Sequence, residues 1–256
     1  MRRYKGYLFD LDGTIYLGDS VIPGAPEALA ALRSGGSKVA FLSNKPLELA
    51  SSYAAKLTKL GIPTREDEVL NSSIVMARYL ANNASDARVY LIGEEPLAAE
   101  LRRYQVEMVT DPLAATHVVV SWDRQFTYRK LDDALQAIKR GARFIATHPD
   151  RTCPVDGGEV ADVAGMIGAI EGVTGKQVEL VTGKPSPVTV REALTLLGLE
   201  AADCIMVGDR LETDIRMGIE AGMATALVLT GVTTREQVAA SQWQPTYVLE
   251  SVVGLV

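Results

Sequence analysis

Residues 7–14 of the chain read Tyr-Leu-Phe-Asp-Leu-Asp-Gly-Thr. The apolar start of this stretch predicts a short buried strand that ends at Gly13. Because side chains alternate between the faces of a strand, Asp10 and Asp12 project to one side, about 7 Å apart at roughly 3.3 Å per residue. Two carboxylates held this close repel each other unless a cation or a shared proton stabilises them. The stretch therefore predicts a site at the end of a strand where positive charge is bound.

The composition is that of a globular protein with room for one large domain or two smaller ones. The 256 residues are 47% apolar and 23% charged, with a net charge of −6. An acidic balance argues against a nucleic-acid partner, because phosphate backbones usually meet basic surfaces. The longest uncharged run, 221–234, is shorter than the roughly 18 residues that span a membrane, so no membrane partner is expected. Cys153 and Cys204 show no CxxC spacing, and we expect a reducing, cytoplasmic location.

Strands and helices alternate along the chain, which is typical of a parallel sheet covered by helices. Early elements are predicted as a helix at Glu27–Arg33, a strand at Lys38–Ser43 and a helix at Leu47–Leu60. A fresh series begins near Asn71, and its predicted elements are helices Ser72–Leu80, Pro96–Tyr104, Tyr128–Arg140 and Val163–Gly172 and strands Arg88–Ile92, His117–Ser121, Arg143–Ala146 and Val178–Val181. The last predicted elements are helices Val188–Leu197 and Ile215–Ala221 and strands Cys204–Gly208 and Thr225–Leu229.

Polar groups follow three later strands or begin helices, where open parallel sheets bind ligands. Ser43-Asn44 offers a hydroxyl, an amide and backbone N–H groups at a helix start, which favours an anion. Lys184 offers a cation at another helix start, and Asp209 and Asp214 follow the strand that ends at Gly208. Carboxylates of this kind suit a hard cation that keeps several waters. Together with Asp10 and Asp12, these residues predict a site for Mg²⁺ and a phosphate group.

Four segments of the chain resemble, in the same order, the four motifs of the haloacid dehalogenase superfamily of phosphatases. They are residues 10–14, residues 43–44, Lys184 and residues 208–214. The long insertion between the second and third resembles the α/β cap of subfamily IIA, the NagD-like and p-nitrophenyl phosphatase-like proteins. Cap segments 123–128, 141–147 and 149–150 carry this second resemblance. It implies an α/β fold: a Rossmann-like core made of residues 1–75 and 181–256, and an inserted α/β cap made of residues 76–180.

The resemblance also implies roles for individual residues. Asp10 would be the nucleophile and Asp12 the general acid and base. The residues implied to bind Mg²⁺ are Asp10, Asp12 through its backbone carbonyl, Asp209 and Asp214. Those implied to hold the phosphoryl group are Gly13, Ser43, Asn44 and Lys184.

The chain departs from the family pattern at two positions that bear on substrate choice. Lys45 and His148 stand where the family pattern leads us to expect Asn. The candidate substrate contacts in the cap are Arg124, His148, Asp150 and Arg151. The subfamily resemblance also makes a homodimer through the cap an expectation.

The leading hypothesis is an Mg²⁺-dependent phosphatase of small phosphate monoesters, either sugar and polyol phosphates or nucleoside monophosphates, acting through an aspartyl-phosphate. A non-enzymatic phosphate-responsive switch, like a receiver domain, is an alternative. Receiver domains, however, place the paired acids on one strand and the phosphoacceptor on another, whereas Asp10 and Asp12 are predicted on the same strand. A dehalogenase on the same fold would need neither Asp12 nor the later acids. A phosphotransferase is chemically close, and only analysis of the products separates it from a hydrolase.

Overall fold

The computed structural model describes residues 2–155 and 157–256, and these form two compact units. The first unit consists of the chain up to Ser43, Ala50–Leu70 and Lys184–Val256. The second consists of Asn44–Leu49 and Asn71–Gly183. The division at 1–75, 76–180 and 181–256 stays a prediction, because the structure also groups Asn44–Leu49 with the second unit.

The secondary structure alternates between strands and helices. The strands are β1 (Gly6–Asp10), β2 (Tyr16–Leu17), β3 (Ser20–Val21), β4 (Lys38–Ser43), β5 (Val69–Asn71), β6 (Arg88–Ile92), β7 (Glu107–Met108), β8 (His117–Val120), β9 (Arg143–Ala146), β10 (Thr152–Val155), β11 (Gly158–Ala161), β12 (Leu180–Val181), β13 (Cys204–Gly208), β14 (Ala224–Val228) and β15 (Tyr247–Leu249). The helices are α1 (Ala25–Ser34), α2 (Ala50–Lys59), α3 (Ser72–Asn83), α4 (Glu95–Arg103), α5 (Tyr128–Lys139), α6 (Val163–Thr174), α7 (Pro187–Leu197), α8 (Arg216–Glu220) and α9 (Arg235–Ala240). A π-helical turn, Leu211–Ile215, precedes α8.

The sheet of the first unit has the strand order β15-β14-β13-β1-β4-β5. β1 lies between β13 and β4 and runs parallel to both, with Phe9 opposite Val207 and Asp10 opposite Leu42. Every residue of β1 is buried, as expected for a continuous apolar run in a parallel sheet with both faces covered. This register places the ends of β1, β4 and β13 at one edge of the sheet.

The second unit contains its own parallel sheet, in the order β12-β9-β8-β6-β7. Successive residues of β8 face opposite sides: Val118 and Val120 pack into one apolar cluster, and Val119 packs into another. Helices α5 and α6 contribute to the first cluster, and α3 and α4 to the second. The predicted α/β class, with parallel sheets covered by helices, is confirmed. None of the helices that the structure describes is long and apolar enough to cross a membrane.

The first residue of β8, His117, is a buried titratable group with an incomplete hydrogen-bond set. Its Nδ1 lies 3.0 Å from the Thr116 hydroxyl, and within the described chain its Nε2 has no hydrogen-bond partner. Burial lowers the pKa of His117, Arg143 lowers it further, and Asp86 and Glu179 oppose the shift. The unfolded chain therefore takes up this proton at a higher pH than the folded chain does.

We expect His117 to make the protein less stable in acid. As the pH falls below about 6.5, the unfolded state gains a proton that the folded state binds weakly, so the free energy of unfolding decreases. Urea unfolding between about pH 7 and about pH 5 measures this slope, and His117→Gln should flatten it relative to the unsubstituted protein. Identical slopes for the two proteins would contradict the prediction.

Candidate active site

Buried carboxylates meet at the edge of the first unit's sheet where its strands end. Among the residues that the structure describes, Asp10, Asp209 and Asp214 form a group whose oxygens lie within 4.8 Å of one another. Asp10 is the last residue of β1, Asp209 follows β13, and Asp214 lies in the π-helical turn. β1 and β13 are adjacent and parallel, so their carboxyl ends bring residues from distant parts of the sequence together.

Lys184 supplies positive charge to this group from just before α7. Its ammonium donates to Asp10 Oδ1 at 2.5 Å and to Asp214 Oδ1 at 2.7 Å. Burial works to lower the pKa of Lys184, but the attraction of Asp10 and Asp214 outweighs it and holds the pKa above its usual value. Lys184 is therefore a permanent cation between these two carboxylates.

Asp10 and Asp214 each use both carboxylate oxygens. The second oxygen of Asp10 accepts a hydrogen bond from the Thr14 hydroxyl at 3.3 Å. That of Asp214 accepts one from the backbone N–H of Arg210 at 3.1 Å, across the π-helical turn. Burial raises the pKa of Asp10, and Asp214 and Asp209 add to the rise while Lys184 opposes it.

Asp209 differs from its neighbours because one of its oxygens is unused. Its Oδ2 accepts a hydrogen bond from the Val232 N–H at 2.9 Å. Its Oδ1 is buried and finds no hydrogen-bond partner in residues 2–155 and 157–256. Burial, helped by the charge of Asp214, raises the pKa of Asp209 to about 6. A buried carboxylate oxygen without a donor is costly unless a ligand occupies it.

The charges of the group do not balance. The carboxylates of Asp10, Asp209 and Asp214 carry three negative charges when ionised, and the buried Lys184 ammonium, which contacts Asp10 and Asp214, carries one positive charge. Arg210 also acts on Asp209, so among the described residues the group keeps an excess of negative charge. A divalent cation would restore neutrality, and carboxylate oxygens are the ligands that hard divalent cations prefer.

Other predicted core residues lie at the same edge. Asp12 is partly exposed and its backbone bridges to Tyr16, while the Gly13 N–H donates to the Tyr16 carbonyl at 2.8 Å. Ser43 is buried at the end of β4, the strand that neighbours β1. The structure thus brings Asp10, Gly13, Ser43, Lys184, Asp209 and Asp214 to one region of the first unit. The individual roles of these residues stay predictions.

The candidate substrate contact His148 is buried within the second unit. One ring nitrogen, Nδ1, lies 2.9 Å from the Thr147 hydroxyl, and the other, Nε2, lies 3.0 Å from Asp162 Oδ1. Asp162 in turn caps α6 by accepting from the Val163 N–H at 2.7 Å. Both ring nitrogens therefore have partners inside the second unit. The expectation that His148 contacts a substrate stays a prediction.

The remaining candidate substrate contacts of the second unit, Asp150, Arg124 and Arg151, differ in the hydrogen bonds and ion pairs that they form within the protein. Asp150 accepts a hydrogen bond from the Asn44 side chain at 3.2 Å, within the same unit. Arg124 is bound by Glu94, which accepts from its Nε at 2.8 Å and its Nη2 at 2.6 Å. This paired geometry commits the Arg124 guanidinium to Glu94. Arg151 is exposed in the loop before β10.

Sequence reasoning missed the loop that follows β14. Thr230 donates to the Gly13 carbonyl at 2.6 Å, and the Val232 N–H donates to Asp209. A small-residue stretch after a predicted strand was the available signal, since residues 230–234 read Thr-Gly-Val-Thr-Thr. That signal is weak because Thr and Gly are also common in ordinary loops.

Comparison with known proteins identifies the family. Residues 7–107 match the model of haloacid dehalogenase-like hydrolases, and residues 181–255 match a second model of HAD-like hydrolases. The sugar-phosphatase AraL of Bacillus subtilis is 42% identical over 247 residues, which are 96% of this chain and 90% of AraL. The chain belongs to the haloacid dehalogenase-like hydrolases.

Solved structures place this haloacid dehalogenase-like hydrolase within subfamily IIA. The p-nitrophenyl phosphatase from Archaeoglobus fulgidus superposes with a TM-score of 0.93 at 38% identity, covering 98% of both chains. NagD from Escherichia coli K-12 superposes with a TM-score of 0.90 at 26% identity, again over 98% of both chains. The resemblance to NagD-like phosphatases is confirmed, and the chain is a hydrolase of phosphoric monoesters.

Proposed function

We propose that the chain hydrolyses small phosphate monoesters with the help of Mg²⁺, through a phosphorylated form of Asp10. Sugar or polyol phosphates are the substrate class that we expect it to prefer, and nucleoside monophosphates are the alternative class. The observation that carries the proposal is the buried group of Asp10, Asp209, Asp214 and Lys184. Its excess negative charge and the unused oxygen of Asp209 suit a divalent cation beside a nucleophilic carboxylate.

The residues proposed to hold Mg²⁺ are Asp10, Asp209 and Asp214, with the backbone carbonyl of Asp12. The orphaned Asp209 Oδ1 supports this choice, because it needs an electropositive partner that the described protein atoms do not supply. When bound, Mg²⁺ would neutralise charge on the transferring phosphoryl group. Lys184 already stands among the same carboxylates and would neutralise further charge.

In the first step, an oxygen of Asp10 forms a bond to phosphorus while the bond between phosphorus and the leaving oxygen breaks. Asp12 gives its proton to the leaving oxygen, which departs as an alcohol. The product on the protein is an acyl phosphate at Asp10. Thr14 and Lys184 contact the two oxygens of Asp10 and so fix the orientation from which it attacks.

In the second step, a water oxygen forms a bond to phosphorus and the bond between phosphorus and Asp10 breaks. Asp12, now ionised, takes a proton from that water, and inorganic phosphate leaves. The Ser43 hydroxyl and the backbone at Gly13 and Asn44 are proposed to bind phosphoryl oxygens. Splitting hydrolysis into two displacements lowers each barrier relative to a single attack by water.

The substrate class is proposed from similarity and from the second unit. The similar AraL is named a sugar phosphatase, which favours sugar phosphates. Arg151 and Asp150 are the candidate contacts in the second unit. His148 and Arg124 remain weaker candidates, because Asp162 and Glu94 already bind them. Homodimerisation through the second unit and a cytoplasmic location also stay predictions.

A panel of phosphate esters tests the proposal. Sugar phosphates, glycerol phosphate, nucleoside monophosphates and pyridoxal phosphate are incubated with the enzyme and Mg²⁺, and free phosphate is measured. Mg²⁺-dependent release, with the highest kcat/KM on a sugar or polyol phosphate, is the expected result. Phosphorylation of one site per chain without turnover would indicate a phosphate-responsive switch rather than a hydrolase. Transfer of the phosphoryl group to an added alcohol would indicate a phosphotransferase.

Asp12→Asn separates proton transfer from binding. The variant is expected to lose about a hundred- to ten-thousand-fold in kcat, because its side chain no longer carries a proton to or from the reacting oxygens. Mg²⁺ affinity should be unchanged, since only the backbone of residue 12 is proposed to bind the ion. Isothermal titration of Mg²⁺ checks this division, and a variant that no longer binds Mg²⁺ would contradict it.

A further inference from the structure

The loop Thr230–Val232, which follows β14, contacts both the opening motif and Asp209. We propose that this loop positions Asp209 so that one oxygen is reserved for the metal ion. The inference rests on the proposed function, because it concerns how the Mg²⁺ site is prepared. Thr230 and Gly231 are accordingly positioning residues, and neither is proposed to touch the substrate.

The first contact fixes which oxygen of Asp209 is used by the protein. The Val232 N–H donates to Oδ2 at 2.9 Å. Asp209 is 1% exposed, and Oδ1 is left without a hydrogen-bond partner in the part of the chain that the structure describes. Because the backbone donor binds only Oδ2, the two carboxylate oxygens are not equivalent. The other oxygen, Oδ1, is then the one that we expect to bind the metal ion.

The second contact is steric and explains why residue 231 is glycine. A Cβ atom built on Gly231 would lie 2.0 Å from Asp209 Oδ2 and 2.5 Å from its Cγ. The loop backbone therefore presses directly against the Asp209 carboxylate. A methyl group at this position would have to move either the loop or the carboxylate, because real Cβ atoms do not approach other atoms this closely.

The third contact ties the loop to the opening motif. Thr230 Oγ1 donates to the Gly13 carbonyl at 2.6 Å. Gly13 has a φ of +85°, and a Cβ atom there would lie 2.6 Å from Asp209 Oδ2. Asp209 is thus enclosed between two glycine backbones, which the Thr230 hydroxyl holds together. Groups that orient metal ligands in this way typically change metal affinity about 10- to 100-fold when removed.

The experiment measures Mg²⁺ affinity by isothermal titration of the full-length protein without substrate. Gly231→Ala is expected to weaken Mg²⁺ binding about 10- to 100-fold, and Thr230→Val about 10-fold. Thr230→Ser keeps the hydroxyl and should bind Mg²⁺ like the unsubstituted protein. Gly165→Ala is the matched control, because a Cβ atom at Gly165 on α6 meets nothing within 4 Å.

Kinetics distinguish positioning of the metal ligand from a purely structural effect. Positioning predicts that high Mg²⁺ restores most of kcat in Thr230→Val, whereas partial unfolding would lower kcat at every Mg²⁺ concentration. If Gly231→Ala fails to fold, the contrast between Thr230→Val and Thr230→Ser decides. Affinities equal to that of the unsubstituted protein in Gly231→Ala and Thr230→Val would overturn the inference alone. Absence of Mg²⁺ binding or of hydrolysis in the unsubstituted protein would overturn the proposed function and the inference together.

Discussion

Replacement of Asp10 by Asn is expected to lower kcat for phosphate release by at least about a thousand-fold. A carboxamide is a far weaker nucleophile than a carboxylate, and the covalent step has no substitute group. The carboxamide would also lack the negative charge that the Lys184 ammonium contacts at 2.5 Å in the present structure. Initial rates of phosphate release from a sugar phosphate at saturating Mg²⁺ measure the effect.

Asp203→Asn is the matched control for this variant, because Asp203 forms a partly exposed ion pair with Lys5. It should keep the original kcat. Acid-quenched enzyme incubated with radiolabelled substrate should carry acid-stable, alkali-labile phosphate, and the Asp10→Asn variant should carry none. A variant that retained most Mg²⁺-dependent turnover would exclude Asp10 as the nucleophile.

Lys184→Met is the second substitution with a large expected effect. It leaves Asp10 and Asp214 buried without the ammonium that they share, and removing one partner of a buried ion pair typically costs about 3–5 kcal/mol. We therefore expect the free energy of unfolding in urea, measured with the metal chelated, to fall by about that amount. The variant should also lose about a hundred- to a thousand-fold in kcat, because a preorganised cation no longer stabilises the transferring phosphoryl group.

The surface substitution Lys59→Met controls for the change of side chain, since Lys59 is exposed at the end of α2. It should change the free energy of unfolding by less than about 0.5 kcal/mol. Added Mg²⁺ should recover part of the stability of Lys184→Met, because a divalent cation can pair with the same carboxylates. Unchanged stability of the chelated Lys184→Met protein would show that Lys184 does not bridge these acids.

The central strands of the fold were predictable because their sequences are continuous apolar runs. β4, β6, β9 and β13 have the same bounds as the predicted strands. A strand that is buried on both faces can be recognised from its own sequence, because burial favours Val, Ile, Leu and Phe at successive positions whichever strands lie beside it. Two of these strands lead directly to polar residues of the candidate site, since β4 ends at Ser43 and Asp209 follows β13.

Several short elements were not predicted. The hairpins β2–β3 and β10–β11, and the edge strands β7 and β15, span only two to four residues each. Their pairing depends on partners that tertiary structure supplies, and the local sequence carries no regular period. The π-helical turn that orients Asp214 was also missed, because the predicted helix begins only at Ile215 and a single π-turn leaves no distinct pattern in the sequence.

Side-chain partners that are distant in sequence account for the remaining differences in the site. His148 and Arg124 carry the features of substrate contacts, yet their partners are Asp162 and Glu94, which lie 14 and 30 residues away. The loop contact between Thr230 and Gly13 joins residues that are 217 positions apart. Residue type shows that such side chains could contact a substrate, but only the three-dimensional structure shows which of them already form hydrogen bonds or ion pairs within the protein.

The long inserted segment has a genetic consequence. Every residue from Asn71 to Gly183 belongs to the second unit, whereas Asp10, Ser43, Lys184, Asp209 and Asp214 lie outside it. Recombination at the two junctions, after Leu70 and before Lys184, would exchange this segment while keeping each of those codons. On the roles proposed for the two units, reaction type and substrate preference could evolve at different rates within one gene, and a chimera that carries a relative's segment should retain its chemistry while acquiring the relative's choice of ester.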